Sequence, residues 1–173
     1  MIIGMSIAAF TALHVVISLV GIVSGVVVLA AMLKGKAPAG WTALFLATTV
    51  LTSATGFLFP ATGFTPAQGV GILSLILLAV ALFAFYGQRL AGAWRWLYVV
   101  TAVSALYFNC FVAVVQSFQK LPFLHVLAPT QLEPPFQVAQ LIVLAIFIIA
   151  GILAIRRFHP ERRPRIALEA SIP

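Results

Sequence analysis

Acidic residues are almost missing from this chain: Glu133, Glu161 and Glu169 are the whole set in 173 residues, and aspartate does not occur. No carboxylate falls inside an apolar stretch, which argues against the acidic relay of a proton-driven pump and the carboxylate ring of a cation channel. Cysteine is equally scarce. Cys110 stands alone, so this sequence holds neither an intramolecular disulfide nor a thiol pair for redox relay. A Gly-rich phosphate loop, a metal-ligand cluster and a catalytic signature are also missing, and the chain is not read as an enzyme.

Hydrocarbon takes the place of charge. Apolar residues make up 63% of the chain and charged ones 8%, against roughly 25% charged in soluble domains. Mean hydropathy is +1.17. Five uncharged stretches, 7–33, 41–59, 66–86, 96–118 and 136–155, have the about 20 residues that cross about 30 Å of hydrocarbon as a helix. None shows the alternation of a barrel strand. The expected fold is an all-α integral membrane protein, with five transmembrane helices in one domain over 1–157. A basic tail over 158–173 is expected to be flexible. The first stretch lacks a basic leader and a small-residue cleavage site, so it is read as a retained helix, not a signal peptide.

Lys and Arg set the orientation. Lys34, Lys36, Arg89, Arg95 and the arginines from Arg156 to Arg165 all fall on one side of a five-span chain, which makes that side cytoplasmic. The amino terminus, the loop around 60–65 and the segment 119–135 then face outward, with the carboxyl terminus inside. The formal charge of +7 reports this topology and contact with anionic membrane lipids; it does not argue for nucleic acid.

A weak internal match aligns the first helical hairpin with the second. Lys36 falls on Arg89, Trp41 on Trp94, Leu44 on Leu97, Phe45 on Tyr98 and Thr48 on Thr101. A parallel repeat of helices one and two in helices three and four, with the fifth helix added, accounts for it. So does the habit of membrane hairpins to carry a basic turn and an interfacial Trp. Both readings stand on the sequence.

Polar residues concentrate toward the outward ends of the spans. His14 and Ser18 lie on helix one, Thr52 and Thr55 on helix two, Asn109 and Gln116 on helix four, and Gln137 and Gln140 on helix five. Polar groups are costly against lipid, so these faces are expected to turn inward around an uncharged outer-half pocket, with Tyr107 deep enough to reach a ligand. Gly21 and Gly25 continue the His14–Ser18 face as a small-residue seam for helix packing.

Over the pocket, the Pro-rich segment 119–135 is expected to form a shaped lid carrying His125 and Glu133. Glu133 reads either as a proton donor or acceptor at the pocket mouth, or as a residue favoured at the start of helix five and loosely paired with Lys120. Its EPPF sequence also suits a helix start. His14, the only ionisable group well inside a span, is either a ligand-binding residue or a neutral imidazole bonded to Asn109, Gln116 or a threonine. As haem ligands, His14 and His125 form a poorly spaced pair, and no metal site is assigned.

The stretches LTSATGFLFP at Leu51–Pro60, ALYFN at Ala105–Asn109 and APTQLEPPFQVAQ at Ala128–Gln140 resemble those of small, uncharacterised five-helix bacterial inner-membrane proteins. The resemblance implies a multi-pass protein of the bacterial inner (plasma) membrane and carries no activity. Five helices are also found in the porphyrin-binding tryptophan-rich sensory proteins, but their Trp- and Pro-rich signature is missing, so no site is carried over.

Three functions follow as expectations. A neutral outer-half pocket suits a binding protein for a quinone, a porphyrin or haem, or a lipid, with a redox association open to it. A structural or assembly subunit, within a homo-oligomer or a larger membrane complex, would use the same polar groups as interhelical bonds. A small-solute transporter is third, since neither broken helices nor coupling charges stand out.

Overall fold

The computed structural model describes residues 2–160; most of the basic tail, including Arg162, Arg163 and Arg165, lies outside the described residues. Within them the chain is helical, without strands beyond one isolated bridge between Ile2 and Met5. Helix α1 runs Ile7–Leu33, α2 Ala39–Gly56, α3 Pro66–Leu82, α4 Trp94–Lys120, α5 Pro122–His125 and α6 Pro134–Arg157. A π-helical turn, Phe83–Gly87, prolongs α3.

Local chemistry explains the ends. Ser6 caps α1 by accepting the Ala9 N–H, and Thr65 and Gln68 close a reciprocal capping box on α3 just before Pro66. Pro134 and Pro135 open α6, where a missing N–H costs nothing. Helix two starts at Ala39 in place of Trp41 and ends at Gly56 in place of Phe59. The last span begins two residues sooner, at its prolines.

Four helices, α1, α3 with its π turn, α4 and α6, are long and apolar enough to cross a membrane, which makes this a multi-pass membrane protein by architecture. Helix α2 is shorter and holds five threonines and a serine in its 18 residues. That hydroxyl content lowers its hydropathy below the others.

Helix α4 is the centre, meeting α1, α2, α3, α5 and α6. Small residues in its N-terminal half, Ala102 and Ala105, let neighbours come close, and Val99 and Leu106 fill the space between. The apolar core gathers there: Val28 and Met32 of α1, Phe45 and Leu46 of α2, Leu78 and Ala81 of α3, Tyr98 of α4 and Phe158 just past α6. Arg95 ties the end of α6 down by donating to the Phe158 carbonyl at 2.8 Å. The end of the bundle that holds His14 and Thr55 is joined differently, through polar side chains.

Candidate functional site

A polar seam runs along the contact of α1, α2 and α4. At the end of the seam nearest the start of α1, His14 Nδ1 lies 2.8 Å from Thr55 Oγ1. The Phe59 ring stands edge-on to the imidazole, 5.2 Å between centroids, and itself packs on Phe10 at 5.1 Å. One turn deeper Ser18 donates to the carbonyl of His14 at 2.7 Å, which satisfies its hydroxyl within its own helix. Thr52, half-buried on α2, has a buried Oγ1 with no hydrogen-bond partner.

Deeper still, α4 presents Asn109, whose Nδ2 is buried and unpartnered. It meets the bare backbone of α1 at Gly21: a Cβ there would stand 3.1 Å from Asn109 Nδ2 and 3.3 Å from the hydroxyls of both Thr48 and Thr49. Glycine is what lets three polar side chains from two helices reach the first. Those threonines donate their protons to carbonyls of their own helix, Leu44 for Thr48 and Phe45 for Thr49, and keep lone pairs free. Asn109 is thus surrounded by acceptors that it does not reach in bonding geometry. Gly25, a turn further, lies against Phe45 and Leu106.

The other expected residues divide from this seam. Tyr107 faces α6, 5.8 Å from the Phe147 ring, and lines an open apolar groove of about 270 Å³ with Ser104, Val103 and Gly151. Gln140 donates to the Phe111 carbonyl at 3.2 Å across the α4–α6 contact, leaving its buried Oε1 without a partner. Gln116 is half-buried on α4. Gln137 is exposed and turns back to the Leu132 carbonyl.

The segment between α4 and α6 is ordered by its own bonds. Gln131 donates to the Val115 carbonyl of α4 at 3.0 Å, and Ala128 is fully buried beneath the turn. The Glu133 carboxylate accepts from the hydroxyl and N–H of Thr130 and from the N–H of Leu132, so the tie is to its own turn and not to Lys120. Partial loss of hydration pushes this carboxyl up. The Thr130 hydroxyl and the backbone donors outweigh that and hold it below the ordinary carboxylate range. His125 is exposed on α5.

Sequence reasoning passed over Phe59, Gly56 and Thr49. Phe59 and Gly56 sit at the frayed end of α2, where hydropathy carries no sign of what a ring or a bare backbone touches. Thr49 was adjacent to a recognised threonine face and is distinguished only by its burial.

Among the described residues, no group of three or more His, Cys, Asp or Glu gathers as metal ligands do. No known family model, curated protein or solved structure matches the chain.

Proposed function

We propose that this is a bacterial inner-membrane protein that holds a neutral or amphipathic small molecule, a quinone, a porphyrin or a lipid, in the outer half of its bundle. The observation that carries this reading is the set of partnerless polar atoms there. Thr52 Oγ1 and Asn109 Nδ2 on the α1–α2–α4 seam, and Gln140 Oε1 at the separate α4–α6 contact, are buried without hydrogen bonds, as are Thr42 Oγ1 and Tyr98 OH toward the opposite end of the bundle. Inside lipid, each unsatisfied group costs several kcal/mol, on the order of 2–7. A head group with one or two polar atoms, bound on the seam, relieves that cost for Thr52 and Asn109, and the rest of the molecule suits the apolar surroundings.

In this reading α2 is a fifth crossing. Its threonine hydroxyls at 48, 49 and 55 bond carbonyls of their own helix, which lowers the cost of placing them in hydrocarbon. Five crossings put the amino terminus outside and the basic inner loops in the cytoplasm. The likeness to small five-helix inner-membrane proteins belongs to the same proposal, as does the hairpin duplication.

The test is gentle purification from the native membrane, followed by solvent extraction and mass spectrometry. One molecule per chain, lost in Asn109→Leu while the protein stays folded, is the expected result. An empty, colourless protein that arrives with other subunits favours the assembly role instead. One feature speaks for that second reading: only 6% of the apolar window of α6 is buried, leaving its isoleucine-rich face for lipid or another protein.

A further inference from the structure

The protons around Thr55 decide how the His14 ring is used. Thr55 Oγ1 has one proton and three atoms able to take it, the Leu51 carbonyl oxygen at 2.7 Å, His14 Nδ1 at 2.8 Å and, further off, the Thr52 carbonyl oxygen at 3.2 Å. If the proton points to Nδ1, the hydroxyl and carbonyl oxygens confront each other with lone pairs at 2.7 Å. If it goes to Leu51, an N–H on Nδ1 donates back to Thr55 and both contacts become bonds. Only the second arrangement satisfies both. In a neutral imidazole that arrangement puts the proton on Nδ1 and leaves Nε2 bare.

That nitrogen has no partner in the chain, and it is not among the enclosed partnerless atoms. At the Cε1 edge of the ring Gly56 carries no side chain; a Cβ there would stand 4.0 Å from His14 Cε1, at ordinary contact distance. Phe59 walls the imidazole with its own ring.

Depth adds a constraint. Helix α1, with 27 residues, is about 40 Å long at about 1.5 Å per residue, roughly 10 Å more than the hydrocarbon core. His14 lies about 10 Å along it. It stands just inside the outer edge of the hydrocarbon, where an amphipathic molecule keeps its head group.

We infer that the outer seam recognises a lipophilic molecule through a hydroxyl on that head group, which donates its hydrogen bond to His14 Nε2. The inference rests on the binding reading above and narrows it. A quinone carbonyl is an acceptor and finds nothing at a bare nitrogen. A quinol hydroxyl, or the free hydroxyl of a glycerolipid, finds its complement.

The full chain, labelled with 15N-histidine and held in nanodiscs of phosphatidylethanolamine and phosphatidylglycerol, tests this. His14 is assigned by its loss in His14→Gln, and its two nitrogens are read before and after adding decylubiquinol, decylubiquinone or dioleoylglycerol under anaerobic conditions. The expected result is an unprotonated Nε2 that shifts with the quinol, the diacylglycerol or both, and stays still with the quinone; which of the two acts identifies the source of the hydroxyl. Gly56→Leu covers the ring edge and leaves the Thr55 bond alone, so it should cancel the shift. A proton on Nε2 in the empty protein overturns the tautomer, whether or not anything binds. An unprotonated Nε2 that answers only to the quinone, or to none of the three, overturns the hydroxyl. Native protein that yields no small molecule on extraction sinks the binding reading itself, with the tautomer left standing.

Discussion

Gly25 of α1 faces Phe45 of α2 with no room between them: a Cβ on Gly25 would stand 2.8 Å from Cδ2 and Cε2 of the ring and 2.5 Å from Leu106 Cδ1. Phe45 and Leu106 are both 1% exposed and packed on every side, so neither can retreat cheaply. Gly25→Ala should destabilise the bundle by about 1–3 kcal/mol, the usual cost of overpacking. Thermal unfolding in detergent measures it. An unchanged midpoint would show that α1 slides away without loss, and that the seam is looser than its distances.

Asn109 should behave in the opposite way. Its buried Nδ2 has no partner, so replacing it with an apolar side chain of similar size removes a cost. Asn109→Leu is expected to keep stability within about 1 kcal/mol of the parent, while retention of the bound molecule falls at least tenfold. A large stability loss would mean that the amide has a partner in the folded protein after all.

The clasp between Arg95 and the Phe158 carbonyl holds the C-terminal end of α6. A hydrogen bond from a charged donor contributes about 1.5–3 kcal/mol. Arg95→Met, which keeps much of the stem and removes the fork, should lower stability by an amount of that order and speed protease cutting after Arg156 and Arg157. Equal cutting rates in parent and variant would remove the clasp from the account.

Acid should loosen the turn before α6. The folded Glu133 carboxyl sits below its ordinary range, so the order it contributes is fully present above the unfolded value. It is lost as pH falls through the lower, folded value. Amide exchange at Thr130 and Leu132, corrected for the intrinsic pH dependence, should therefore accelerate only in that acid window. Glu133→Gln should flatten the profile. A parent protein with no acid step would show that the Thr130 and Leu132 bonds do not depend on charge.

Reporter fusions at Gly35, Gly63, Gly92 and Thr130 test the number of crossings. Alternating inside, outside, inside and outside is the expected pattern. If Gly35 and Gly63 report the same side, α2 lies along the membrane and the bundle has four crossings.

Much of the architecture was legible in the chain because hydropathy adds up residue by residue. Long runs without charge identify α1, α3, α4 and α6 whatever their neighbours are, and Pro66, Pro134 and Pro135 mark helix starts through their own missing N–H groups. The polar residues were legible only as a collection at similar depth. Nothing in their spacing says that Tyr107 turns to α6 while Asn109, two residues on, turns to α1. That depends on the rotation of α4 about its axis, which its neighbours on every side settle together.

His14 makes the same division at atomic scale. Its place inside an apolar span marks it as a residue with a cost to be met. That Thr55 meets it at Nδ1, that Gly56 puts no side chain at the ring edge and that Asn109 goes without a partner are facts of three helices from distant parts of the chain. That the chain is helical and apolar enough to pass a membrane several times is written in its residues one at a time, since the transfer of each side chain out of water is a local quantity. Which polar atoms pair and which remain open depends on how the helices pack, because a hydrogen bond needs two groups within about 3 Å at a suitable angle, and one-dimensional order carries no such distance.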